Sequence, residues 1–290
     1  MPRAAPHPLP DLLPVNGEKE ANPVEIHQGT SPIILGLPHT GTYVPDDIRA
    51  CLNDEGQKLR DTDWHIHTLY DGLLPGASTV RATFHRYVID ANRDPGGESL
   101  YPGQTTTSLV PLTDFDNQPI WRDRMEPDAA EIARRVALFH APYHAALEAE
   151  IARVKAIHGI AVLYDCHSIR PEIPYLFEGV LPDFNIGTDN GRTCAAEIEA
   201  STFAVCSSAK GYTSILNGRF RGGWTTRHYG RPETGVHAIQ MELTQSTHLS
   251  DVPLPFTYDP ERAAPLRAHL ADILRRIETI ALTLASGARP

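Results

Sequence analysis

Hydrophobic positions along the chain fall into two rhythms. Unbroken apolar runs come first: "IILGL" (33–37) stands between Pro32 and Pro38, and "IAVLYDCH" (160–167) and "HAIQMELT" (237–244) repeat the type. Short, β-branched and apolar throughout, such runs predict central strands buried on both faces. "STVRATF" (78–84) and "RYVIDAN" (86–92) are two further strand candidates. The second rhythm is helical. It spans 61–74, 127–158 with an interruption near Pro142, 192–209, and a closing amphipathic stretch at 260–286. Between 93 and 120, prolines, glycines and short polar residues follow no period, the mark of a long loop that is functional or disordered.

Strands alternating with helices predict an α/β fold, with a sheet covered on both faces. The strand runs carry their polar residues at their C-terminal ends, the edge where such sheets bind ligands. Prolines at 2, 6, 8, 10 and 14 make residues 1–25 an extended arm, which leaves 26–290 as one domain.

Composition narrows the partners. The 290 residues are 41% hydrophobic, enough for a sizeable core, and the net charge of −10 argues against nucleic acid or anionic membrane as a partner. An anionic small ligand would need a local basic pocket. Cys51, Cys166, Cys194 and Cys206 follow no framework spacing, as expected for reduced thiols in a cytoplasmic protein. The N-terminus lacks the apolar segment of a signal peptide, and no run reaches the ~20 residues of a membrane span.

Three strand ends carry candidate chemistry: His39 in "PHTG", His167 in "DCHS" and Glu242 in "QMEL". Each alone is an ordinary feature of a chain with fourteen histidines. Together, two imidazoles and a carboxylate at one sheet edge make a metal-hydrolase layout. A catalytic zinc takes three protein ligands and leaves one position for water. His39 and His167 supply two, and Asp61 or Asp63 the third; Glu242, if not a ligand, can take the proton of the attacking water. His140 and His144 are spaced i, i+4, but the HExxH pattern is absent, so a solvated or capping role is expected of them. His65 and His67 point to different faces of a helix. Cys166 is expected to be inert packing, Ser31 and Ser168 lack a G-x-S-x-G elbow, and there is no P-loop.

A basic cluster stands out against the acidic background. "NGRFRGGWTTRHYGR" (217–231) carries Arg219, Arg221, Arg227 and Arg231 beside Gly222-Gly223, consistent with a mobile loop that closes on an anion. Guanidinium groups grip carboxylates in a bidentate way. "DANRDP" adds Asn92-Arg93 at a strand end.

The stretches "LPHTGTYVP", "RDTDWHIHTLYD", "RYVIDANRDP", "LYPGQTTT", "LYDCHSIRPEIP", "NIGTDNGRTC", "LNGRFRGGWTTRHYG" and "GVHAIQMEL" resemble the N-formylglutamate amidohydrolases over residues ~32 to ~250. The resemblance implies a mixed, mostly parallel sheet in a three-layer sandwich like that of zinc exopeptidases and N-acetylmuramoyl amidases. It implies hydrolysis of N-formyl-L-glutamate to L-glutamate and formate, the last step of one route of histidine breakdown. It further implies His39, Asp63 and His167 as ligands of one zinc or other divalent ion, with Glu242 as general base. "DANR" also resembles the Asn-Arg pair of aspartoacylases, which makes Arg93, with Asn92, the first choice of carboxylate clamp; Arg219, Arg221 and Arg227 would assist. The same layout would serve an amidase for another N-acyl acidic amino acid, such as N-acetyl- or N-formylaspartate, or a non-catalytic anion-binding relative.

Overall fold

The computed structural model describes residues 22–97, 106–252 and 254–287. Its sheet holds β1 (Val24–His27), β2 (Ile33–Leu37), β3 (Ser78–Ala82), β4 (Ala161–Ile169), β5 (Phe184–Gly187), β6 (Ser214–Leu216) and β7 (Val236–Thr244) in the order β1-β3-β2-β4-β7-β5-β6. β3, β2, β4 and β7 run parallel, β1 pairs antiparallel with β3, and β5 antiparallel with β7. The sheet is thus mixed and mostly parallel, as expected.

The helices are α1 (Asp46–Arg49), α2 (Ile66–Tyr70), α3 (Ala129–Arg135), α4 (Ala141–His158), α5 (Ala196–Ser208), α6 (Trp224–Tyr229) and α7 (Pro260–Gly287). They cover both faces. Helix α7 buries Ala263, Leu266, Leu270, Ile273, Leu274, Ile277 and Ala281, an i, i+3/i+4 stripe, and shares one core with α2 and α5. Helix α4 buries Tyr143, Leu147, Ile151 and Val154 in the opposite core. No helix among the described residues is long and apolar enough to cross a membrane.

Several sequence expectations change in the structure. The interruption near Pro142 is a π-helical turn over Val136–His140 between α3 and α4. Proline has no N–H to give the carbonyl four residues back, so the ladder widens just ahead of it. Residues 86–92, expected as a strand, form turns, and their backbone is met by His85 and Leu109 instead of a neighbouring strand. The helix expected over 61–74 shrinks to α2, because His65 at its start adopts a left-handed φ of 59°. Val24 and Glu25, inside the expected arm, belong to edge strand β1; residues 1–21 lie outside the described residues.

Strand β4 explains where the site forms. Val162, Tyr164 and Cys166 face the α7 core, while Ala161 and Leu163 face the α4 core. The next two residues on that second face are Asp165 and His167, and their partners on β7 are Gln240 and Glu242. All four are buried. Apolar side chains there would each contribute roughly 1.5–3 kcal/mol by burial. Four polar groups in their place must instead find hydrogen-bond partners, and they do so around a cavity.

Candidate functional site

Different elements deliver each site residue. His39 follows β2 immediately beyond Pro38, and its carbonyl accepts the Asp63 N–H at 3.0 Å. The Asp63 turn is held from below by Gln245, whose side chain donates to the Thr62 carbonyl at 2.9 Å. His167 stands on β4 in the same rung as Glu242 on β7, so the two side chains leave the same face of the sheet.

His39, Asp63 and His167 meet in a buried cluster. The Nδ1 atoms of the two histidines are 3.2 Å apart, and Asp63 Oδ2 lies 3.1 Å from His167 Nδ1 and 3.7 Å from His39 Nδ1. On the far side of each ring sits a carboxylate, which can only accept. Asp90 Oδ1 is 2.7 Å from His39 Nε2, and Asp165 Oδ1 is 3.1 Å from His167 Nε2. In a neutral His39 ring the proton therefore belongs on Nε2, and its Nδ1 lone pair turns inward. His167 Nε2 faces the Asn92 amide nitrogen at 3.2 Å as well as Asp165, so its tautomer is not imposed by Asp165 alone. Two ring nitrogens, each able to offer a lone pair, and a carboxylate oxygen converge out of water, a donor set suited to a positive charge among them. A tetrahedral zinc with bonds of about 2.0–2.1 Å spaces its ligand atoms roughly 3.3–3.4 Å apart, so these residues fit a single metal ion.

The cluster's charges are balanced from outside. Arg86 donates to Asp63 Oδ1 at 2.5 Å and lies 3.8 Å from Asp90. Burial would raise the Asp63 carboxyl, but Arg86 and the two imidazoles overrule it and hold it well below the usual range. Burial would likewise depress His167; Asp165 and Asp63 instead raise it well above its ordinary value. Asn92 completes the frame. Its Nδ2 stands 3.2 Å from His167 Nε2 and its Oδ1 accepts the Thr225 N–H at 2.8 Å.

A cavity opens over the cluster, bounded by His39, His167, Asn92 and Glu242, with Arg86, Arg93 and Arg219 along its wall. Burial pushes the Glu242 carboxyl up to about 8, with Asp63 and Asp165 adding to the rise and His167 and Arg86 opposing it. Arg93 is anchored by bonds to the carbonyl and hydroxyl of Thr107 and to the Asn92 carbonyl. A local basic wall thus exists in a chain of net charge −10.

Some residues expected at the site lie elsewhere. Asp61 is not in the cluster: it accepts bonds from the Tyr87 hydroxyl at 2.8 Å and the Phe115 N–H at 3.0 Å. Arg221 and Arg227 do not line the cavity; Arg227 NH2 lies 3.4 Å from Asp189 Oδ1, because α6 carries it away from the opening. The segment expected to be mobile is pinned where α6 begins, by Gly223 N–H to Gln240, Thr225 N–H to Asn92 and the Thr226 hydroxyl to Asp165. His140 and His144 are buried rather than solvated, and face the carbonyls of Arg93 and Ala91, the two neighbours of Asn92. Conversely, sequence reasoning passed over Arg86, Asp90 and Gln240. The available signal was a charged or amide residue inside an otherwise apolar run, which folding permits only with a partner.

Comparison with known proteins identifies the family. The family model for N-formylglutamate amidohydrolase matches residues 31–249. The chain is 45% identical to the N-formylglutamate deformylase of Pseudomonas aeruginosa over 251 residues, 86% of this chain and 94% of that one. It is 42% identical to the N-formylglutamate deformylase of Pseudomonas putida over 255 residues, 88% and 95% of the two chains. In fold it resembles the crystal structure of N-formylglutamate amidohydrolase from Ralstonia eutropha JMP134, with a TM-score of 0.70 at 24% identity, covering 92% of this chain and 98% of that one.

Proposed function

The chain belongs to the N-formylglutamate amidohydrolase family, and we propose that it hydrolyses N-formyl-L-glutamate to L-glutamate and formate in the cavity over His39, Asp63 and His167. The observation that carries this reading is the convergence of two Nδ1 atoms and a carboxylate oxygen beneath a wall of arginines. An amide with two carboxylates suits such a wall.

His39, Asp63 and His167 would hold one divalent ion, zinc by the preference of two imidazoles and a carboxylate. When bound, it would polarise the formyl carbonyl, acidify the attacking water and draw Glu242 towards its ionised form. Asp90 fixes the tautomer of His39, Asp165 and Asn92 stand against the far side of the His167 ring, and Arg86 offsets the acidic groups around them. Arg93 and Arg219 grip the substrate carboxylates, with Asn92 orienting the amide. Glu242 takes a proton from the water that adds to the formyl carbon, and returns it to the nitrogen as the C–N bond breaks. The free thiols Cys51, Cys166, Cys194 and Cys206 accord with a reducing cytoplasm, where histidine breakdown would supply this substrate.

One sample decides the matter: metal content and rates on formyl- and acetyl-glutamate and their aspartate analogues, before and after chelation. Formylglutamate should be preferred, and activity should leave with the metal and return with it. Full activity in metal-free protein, or a clear preference for an acetyl or aspartyl substrate, would reject the reading.

A further inference from the structure

Gln240 lies two residues before Glu242 on β7, beside Asp165 on β4, and borders the cavity while almost wholly buried. Both ends of its amide are engaged. The Gly223 N–H donates to Gln240 Oε1 at 2.6 Å, and Gln240 Nε2 donates to Glu242 Oε2 at 3.1 Å. A backbone N–H can only donate, so the amide oxygen must face Gly223. The NH2 group must then face the carboxylate. A flipped amide would set donor against donor at one end and acceptor against acceptor at the other.

We propose that Gln240 is a positioning residue for Glu242: its amide occupies Oε2 and leaves Oε1 as the oxygen that accepts the proton. This inference rests on Glu242 acting as the base. Rotation about the last torsion of a glutamate is soft, so an unheld carboxylate would present either oxygen at varying angles. Proton transfer needs one of them in line. A neutral amide does this without placing a full positive charge beside a base that must stay basic, as lysine or arginine there would. The other end ties the base to Gly223, the residue that leads from the arginine-bearing segment into α6. Gly223 itself has no room for a side chain, since a Cβ there would run into the Asn92 amide.

The test measures kcat and KM for formylglutamate, with metal content, in Gln240→Met, Gln240→Glu, Glu242→Gln and the double variant Gln240→Met/Glu242→Gln. Gln240→Met keeps the length and removes both bonds. Gln240→Glu keeps the oxygen that meets Gly223 and turns the donor into an acceptor, and it answers the question if the methionine variant does not fold. Either single change should lower kcat about 10- to 100-fold at near-constant KM and metal content, the scale of a misplaced catalytic group. Added to Glu242→Gln, Gln240→Met should cost nothing more, because the group it positions is already gone. A kcat loss that multiplies in the double variant, a loss confined to KM, or no loss would overturn the proposal. An active Glu242→Gln enzyme would instead reject Glu242 as base, a failure read from that single variant alone.

Discussion

Asp90 Oδ1 lies 2.7 Å from His39 Nε2, on the side of the ring turned away from the cluster. That contact decides which nitrogen of His39 offers its lone pair. Asp90→Ala removes that acceptor, so the tautomer is no longer imposed. Metal affinity should fall about 10- to 100-fold, measured by competition with a chelator of known affinity. Unchanged affinity would show that Asp90 does not steer the ring.

Arg93 and Arg221 should behave oppositely, although both belong to the basic positions of the sequence. Arg93 lines the cavity and Arg221 does not. Arg93→Ala should raise KM roughly 10- to 100-fold, the worth of a charged hydrogen bond, and Arg93→Lys should not restore it because a single ammonium cannot replace the fork. Arg221→Ala should leave KM within about twofold, as surface changes usually do. Steady-state kinetics on the three variants checks both statements.

Gly223→Ala should be severe for reasons of space. The backbone φ of −76° suits any residue, but the added methyl would meet the Asn92 amide. Relieving that clash must move Asn92 from His167 or Gly223 from Gln240. A fall of about 100-fold in kcat/KM is expected, and a fully active variant would show that the fit between α6 and Asn92 is looser than described.

Glu131 provides a pH dependence away from the cluster. Bonds from Arg134 at 2.7 and 2.8 Å, with Arg135 assisting, hold its carboxyl down at about 2, below the usual 4.5. A depressed carboxylate stabilises the fold above its unfolded pKa, and the contribution disappears as pH falls from 4.5 towards 2. Glu131→Gln should therefore lower the urea midpoint at pH 7, and the gap between variant and parent should close as the pH drops through that window. A gap that widens on acidification would contradict this sign.

The parallel strands were legible because burial on both faces writes an unbroken apolar run, as in "IILGL" and "IAVLY". Edge strand β1, which buries Val24 and exposes Glu25, Ile26 and His27, writes no such run. The short β5 and β6 were passed over because periodicity needs more residues than they contain. The run at 86–92 misled because Val88 and Ile89 are buried by packing, while the backbone there is bent to present Arg86, Asp90 and Asn92. At the site, the strand-end histidines and Glu242 could be read from position. Choosing Asp63 over Asp61 on residues alone could not be done, since both are buried acids two positions apart in one turn. Only the fold reveals that one faces the imidazoles and the other Tyr87.

The pairing of β4 with β7 sets His167 beside Glu242 on two interior strands, each bonded to neighbours on both sides. Such strands open only when the whole sheet does, whereas Arg93 and Arg219 stand on connecting segments that tolerate change. The molecule therefore separates what is attacked from how it is attacked. Loop insertions and exchanges can explore new acids, lengths and acyl groups without disturbing the rung on which water would be activated.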